Sequence, residues 1–252
     1  MRAVLLLFLL LASPLKAEEV VLGLSQDQVS ISTNFDGSEI TLYGAIKREA
    51  PIPSEDPLQV IVTISGPNEP VTVRRKDRRL GIWVNVDAVN VSSAPSFYAI
   101  ATSAPWDDVI NEADDLRHTI SIPRAIRSVG AWSQVDDPQT FIDALIRIRM
   151  NNHSYALKEG TVDLRDSTLF TTAIQMPANL TEGDYATRIF LTRGGKVISE
   201  YETSIDVRKV GLERWLFNLS RQQPLAYGIL SLAIAIAAGW GASAAFRLLR
   251  SG

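Results

Sequence analysis

From Val20 to about Thr102 apolar and polar positions alternate with period two between frequent turn residues, a pattern that predicts short β-strands. Ile40, Leu42 and Gly44 face one way, and Thr41, Tyr43 and Ala45 the other. In the stretch Leu58 to Ser65 the residues Leu58, Val60, Val62 and Ile64 form one apolar face, which Gly66-Pro67-Asn68 ends. Val71–Arg75, Ile82–Val86 and Ser96–Thr102 continue the series, broken by the charged Lys76-Asp77-Arg78-Arg79. About seven strands with turn signals every 8 to 12 residues have the sequence form of an immunoglobulin-like sandwich.

The period changes after Pro105. Trp106, Val109, Ile110, Ala113 and Leu116 recur at helical spacing, with Asp107, Asp108, Glu112, Asp114 and Asp115 between them as a solvated acidic face. His118 to Ile122 reads as a further strand and Pro123 to Gln134 as irregular chain. A second helix opens at Asp137-Pro138, where Asp caps and Pro suits the first turn, and runs to about Met150. Phe141, Leu145 and Ile148 form its stripe, Ile142 and Ile146 flank it, and Asp143 stands four residues before Arg147. Strands return over Gly160–Met176. The following Leu180, Gly183 and Tyr185 match a tyrosine corner, in which the phenol bonds back to upstream backbone. Tyr185–Thr192 and Val197–Val207 then flank Gly194-Gly195, a two-residue hairpin signal.

Leu225 to Phe246 holds no charged residue. A helix of that length is about 33 Å long, enough to cross a hydrocarbon layer of roughly 30 Å. Before it, Leu212, Trp215, Leu216 and Leu219 share one face of a short juxtamembrane helix. Trp215, Arg221 and Arg247 suit the two membrane interfaces. Within the span Ala233, Ala237, Gly241 and Ala245 repeat every four residues, a spacing that lets another helix approach closely, whether a partner's or a second copy's.

The N-terminus carries Arg2, an apolar core from Ala3 to Ala12, and Leu15-Lys16-Ala17, the form of a secretory signal peptide with cleavage after Ala17. With the late span this predicts a single-pass protein of the bacterial inner membrane, its ectodomain in the periplasm and its C-terminus in the cytoplasm. Cations flanking the span, Arg208, Lys209, Arg214 and Arg221 on one side and Arg247 and Arg250 on the other, do not set that orientation; the signal peptide does. The resulting segments are 1–17 signal peptide, 18–104 first β-sandwich unit, 105–157 helical insertion, 158–208 second β-sandwich-like unit, 209–224 juxtamembrane helix, 225–246 transmembrane helix and 247–252 tail. Whether the β-rich stretches make one sandwich or two stays open.

Composition narrows the chemistry. Residues 18–224 hold 21 basic and 28 acidic side chains, a net −7 that argues against a nucleic-acid partner. With no cysteine, thiol catalysis, disulfides, cysteine-ligated zinc and iron–sulfur clusters are excluded. The two histidines, His118 and His153, read as solvent-exposed and show no ligand spacing, even with Met150 and Met176 considered for copper. The acidic run lacks the glycine and terminal glutamate of a calcium loop, and no nucleophile elbow or phosphate-cradling loop is present. The sequence thus predicts no cofactor, no metal and no catalytic residue. Arg74, Arg75, Lys76, Arg78 and Arg79 form the one dense basic cluster, either solvated or a surface for a small anion, an anionic headgroup or an acidic partner. The aromatics of Ile82-Trp83-Val84 and Pro95-Ser96-Phe97-Tyr98 read as core.

Gly66-Pro67, Val71-Thr72-Val73-Arg74-Arg75-Lys76, Gly81-Ile82-Trp83-Val84-Asn85, Pro95-Ser96-Phe97-Tyr98-Ala99 and the turn at Gln175–Asn179 resemble the hallmark run of an uncharacterised alphaproteobacterial family of transmembrane proteins. The resemblance spans essentially all of the mature chain, apart from Asp107–Asp136. It implies a signal peptide, a β-rich exported region and one C-terminal span. It transfers no catalytic residue, and that some members are encoded near sulfite-exporter-like permeases points toward transport. The expectation is a binding or accessory module beside a membrane partner, with an anion binder at the basic cluster or an unrecognised enzyme as alternatives.

Overall fold

Two-residue alternation builds a four-stranded antiparallel sheet in which β1 (Glu19–Leu24), β3 (Ser38–Lys47), β10 (Leu169–Met176) and β9 (Asp163–Arg165) lie in that order. The fold is that of a computed structural model, which describes residues 19–25, 28–31, 37–48, 56–128, 135, 137–209 and 212–250. The signal-peptide reading of residues 1–17 lies outside these. One face of the sheet is buried through Ile40, Leu42 and Ile46 of β3 and Phe170, Ile174 and Met176 of β10. Gly44 pairs with Phe170 and lets its ring lie across the strand, since a Cβ there would stand 2.4 Å from the ring. The reverse face leaves Val21, Tyr43 and Leu169 exposed.

The larger sheet has six strands in the order β2 (Gln28–Ile31), β12 (Lys196–Lys209), β11 (Gly183–Arg193), β4 (Leu58–Ser65), β7 (Tyr98–Thr102) and β8 (Tyr155–Lys158). The Gly194-Gly195 hairpin forms as the sequence predicts. Both glycines have positive φ, +54° and +72°, as a tight hairpin with mirror-image turn geometry requires. The tyrosine corner forms as well: the Tyr185 hydroxyl donates to the Thr181 carbonyl at 2.8 Å. Strands of 18–104 pair with strands of 158–208 in both sheets, β3 with β10 and β4 with β11. The two stretches therefore share their sheets. Up to Val207 the described residues, apart from Ser30 and Ile31, make one compact unit.

β7 and β8 run parallel, Tyr98 beside Tyr155. A parallel pair needs a crossover connection, and the helical insertion supplies it with α1 (Trp106–Val109), α2 (Glu112–His118), α3 (Ile122–Ala125) and α4 (Pro138–Asn151). These helices cover the second face of the six-stranded sheet. Val109, Ile110, Ile120, Ile122 and Leu145 pack with Ile61, Tyr98, Ile100 and Phe190. As a result β4 is buried on both faces, Ile61 and Thr63 included, where the sequence marked only one.

The acidic stretch departs from its expected form. Instead of one helix with a solvated carboxylate face there are two short ones, and Asp114 and Asp115 are only 7% and 8% exposed while Leu116 is 55% exposed. Backbone donors explain the inversion. Asp115 Oδ1 accepts from the N–H groups of Ile120 (3.2 Å) and Ser121 (2.7 Å), and Asp114 Oδ2 from that of Val197 (2.9 Å). The expected strand at His118–Ile122 is instead the end of α2, a left-handed Thr119 (φ +51°) and the start of α3. α4 begins at the Asp137 cap as expected, and the Thr140 side-chain hydrogen bond holds that carboxyl below its ordinary range. Phe141 and Leu145 of its stripe are buried, but Ile148 is exposed, and Asp143 accepts from Gln139.

From Arg208 onward, with Ser30 and Ile31, the chain forms a second unit. α5 (Leu212–Gln222) is followed by α6 (Pro224–Arg250), a 27-residue helix that extends beyond the predicted span at both ends. Its apolar window Pro224–Ser243 is long enough to cross a membrane, and none of it is buried by the described residues.

Candidate functional site

β5 (Asn68–Arg79) and β6 (Ile82–Pro95) form a separate two-stranded ribbon, and this ribbon carries the whole basic cluster. Its base is held by the core. Val89 and Val91 are buried, Val71 and Val73 pack beside them, and the Arg75 guanidinium lies 5.5 Å from the centre of the Phe141 ring of α4 while pairing with Asp87. Register shifts between Arg75 and Lys76, the mark of a β-bulge, which twists a ribbon and re-aims it.

Beyond the bulge Lys76 pairs with Asn85, Asp77 with Val84, Arg78 with Trp83, and Arg79 with Ile82. The charged run therefore does not break the strand; it is paired strand. Leu80 and Gly81 close the turn with φ of +50° and +85°. Leu80 is fully exposed, Ile82 is 65% exposed and Trp83 68% exposed, so these residues are not core, whereas Phe97 and Tyr98 are. The difference is physical: Tyr98 begins β7 of the six-stranded sheet and Phe97, in the bend before it, packs against the Tyr185 ring, while the outer ribbon has no element packed on it among the described residues.

Alternation divides the cations between the two faces of the ribbon. Arg74, Lys76 and Arg78 share a face with Trp83, and Arg75 and Arg79 share the other with Asp77 and Ile82. Arg79 stands 3.9 Å from Asp77. Among the described residues Arg74, Lys76 and Arg78 make no ion pair. The five cations form a charged band around a strand, not the convergent lining of a pocket.

A second feature was not legible in the sequence. A polar cleft of about 420 Å³ is lined by Tyr98, Arg124, Arg127, Arg188, Glu200 and Glu202 among others, drawn from five separated segments. Arg188 is spent on structure: it donates to the His118 carbonyl (2.9 Å) and the Thr119 carbonyl (3.2 Å), closing the C-terminus of α2, and lies 5.0 Å over the Phe190 ring. Glu200 meets Arg188 at 3.8 Å and His118 Nδ1 at 3.1 Å. His118 is thus half-buried against Phe190, not solvent-exposed, while His153 is exposed in the turn after α4. Burial pushes the Tyr98 phenol up, opposed by the Arg188 guanidinium; its hydroxyl donates to the Ile120 carbonyl at 2.7 Å. Arg188, the one charged residue in the strand Tyr185–Thr192, was the available signal for this cleft.

On the second unit Trp215 is exposed on α5 and the Arg221 guanidinium stacks 5.4 Å from the Phe217 ring in its last turn. Ala233, Ala237 and Gly241 lie four residues apart along exposed α6, and Ala245 and Arg247 belong to the same helix. Among the described residues no three histidine, aspartate or glutamate side chains converge as a metal site. No curated protein matches the chain. Residues 19–248, which take in the ribbon, both sheets and the apolar helix, match the family described as Putative transmembrane protein (Alph_Pro_TM), and the chain belongs to that family.

Proposed function

We propose that the chain is a single-pass inner-membrane protein whose periplasmic β-body acts, without catalysis of its own, as a binding or accessory module beside a membrane partner such as a transporter. The observation that carries this reading is α6: an apolar helix of membrane-spanning length, unburied by the described residues, with small residues at Ala233, Ala237 and Gly241. In lipid, helices associate by close backbone approach, and such a row supplies it. The orientation follows from a signal peptide at residues 1–17.

Photo-cross-linking residues placed at Ala237 and Gly241 of the full chain in cells test the partner. A discrete adduct with another membrane protein, lost on Gly241→Leu, is the expected result. Adducts with lipid alone, unchanged by Gly241→Leu, overturn it. A reporter fused after Gly252 tests the orientation and is expected to be active in the cytoplasm only.

A further inference from the structure

We propose that the outer end of the β5–β6 ribbon is a lipid-docking arm. Leu80 enters the acyl edge of an anionic bilayer surface, Ile82 and Trp83 lie at the boundary, and Lys76, Arg78 and Arg79 engage its headgroup phosphates. This goes beyond the partner reading and rests only on the chain's being membrane-anchored.

Three observations converge on it. The first is the tip: three large apolar side chains are exposed in the last turn and pairs of the ribbon, Ile82 on one face, Trp83 on the other and Leu80 in the turn, where it is fully exposed. The second is its backbone. Leu80 holds φ +50°, a conformation in which Gly or Asn is relaxed and leucine is strained, so the fold tolerates strain to present a side chain that contributes nothing to its own core. The third is charge. Residues 74–87 carry five cations and two carboxylates, a net +3, while the rest of 18–224 carries 16 and 26, a net −10. Cations kept on one short ribbon of an acidic protein fit an anionic surface.

A bilayer fits better than an acidic protein because the chemistry is layered along the ribbon. Leu80 occupies the extreme tip, with Ile82 level with Arg79 and Trp83 level with Arg78 behind it. Arg78 lies two residues back from Leu80, about 7 Å at 3.3 Å per residue, and Lys76 about 13 Å back. A bilayer surface presents the same order, with acyl chains beneath a headgroup layer roughly 5–8 Å thick. Trp83, facing with Arg78 and Lys76, suits that boundary.

The cysteine-free chain allows a direct test. Full-length protein bearing Leu80→Cys, labelled with a nitrobenzoxadiazole dye that is itself apolar, is reconstituted into vesicles of phosphatidylcholine with or without phosphatidylglycerol. A second labelled variant, Leu232→Cys, reports the span. The expected result is a blue-shifted dye at position 80, quenched by nitroxide-labelled lipid, in phosphatidylglycerol vesicles only. Lys76→Glu, Arg78→Glu and Arg79→Glu together lower the docking equilibrium constant by at least about a hundredfold. A dye at position 80 that stays in water while position 232 is quenched overturns the arm and leaves the anchor intact. Equal docking without phosphatidylglycerol overturns it too, as does shielding seen only in native membranes, which assigns the ribbon to a protein partner. If position 232 is also unquenched, the anchor fails and the arm with it.

Discussion

Asp115→Ala against Leu116→Ala separates two descriptions of the same helix. Apolar spacing alone would turn Leu116 inward and leave Asp115 in water; the structure does the reverse. Asp115 Oδ1 is the acceptor for two backbone N–H groups, those of Ile120 and Ser121, and Ile120 is wholly buried. Removing the carboxylate strands both donors, and an unsatisfied buried donor costs about 1–3 kcal/mol. Ser121 is only half-buried, so its donor counts at the low end, and the pair sets the loss at about 2–4 kcal/mol. In a chain of this size each kcal/mol moves the thermal midpoint by about 2–4 °C, so Asp115→Ala lowers it by about 5–15 °C. Asp115→Asn keeps an acceptor oxygen and loses only the charge assistance, about 1 kcal/mol. Leu116→Ala, at an exposed position, stays within about 0.5 kcal/mol. Thermal unfolding of the full chain in mild detergent, followed by near-ultraviolet circular dichroism, measures all three. If Leu116→Ala costs as much as Asp115→Ala, α2 turns its leucine inward after all and the backbone-donor explanation fails.

Three further outcomes follow from burial and hydrogen bonding. Trp83→Ala leaves the midpoint nearly unmoved while Phe190→Ala, in the core, costs about 3–5 kcal/mol; comparable losses would mean that Trp83 packs on the body. Thr187 is buried with its hydroxyl unpartnered among the described residues, so Thr187→Val is neutral or stabilising by about 1 kcal/mol, and a clear destabilisation by the same assay counts against it. Burial pushes the phenols of Tyr155 and Tyr185 up to about 12. The folded chain then keeps protons that the unfolded chain has lost, so stability is full below pH 10 and falls by about 1.4 kcal/mol per pH unit per tyrosine between 10 and 12. Tyr185→Phe removes its share of that slope; a midpoint flat across this range contradicts the assignment.

Local chemistry made much of this fold legible. The Asp137-Pro138 start of α4, the Gly194-Gly195 turn, the tyrosine corner at Tyr185 and the strand Leu58–Ser65 each depend on residues within a few positions of one another, and each appears where the sequence places it. What escaped depends on distant neighbours. Asp114 is buried because Val197, far along the chain, offers it a backbone donor. β4 is buried on both faces because the crossover between two parallel strands returns over it. The polar cleft needs five segments brought together before any of its residues looks exceptional. Trp83 escaped in the opposite sense, since an aromatic in a strand is usually core and nothing nearby in sequence says that this strand outruns the body.

That overrun is where local and global consistency part, and it bears most on function. Several departures from simple patterning are compensated within the fold: the buried carboxylates of α2 by backbone donors, Gly44 by the Phe170 ring, Arg75 by Asp87 and Phe141. The ribbon tip has no such compensation among the described residues, since its leucine is strained, its tryptophan is wet and three of its cations make no ion pair. Strain, exposed apolar side chains and cations without ion pairs coincide at this one contiguous end, which is where something outside the chain completes the structure. For a chain of a transmembrane family, carrying its own apolar helix, the surface that offers both anionic and apolar groups at that spacing is the bilayer.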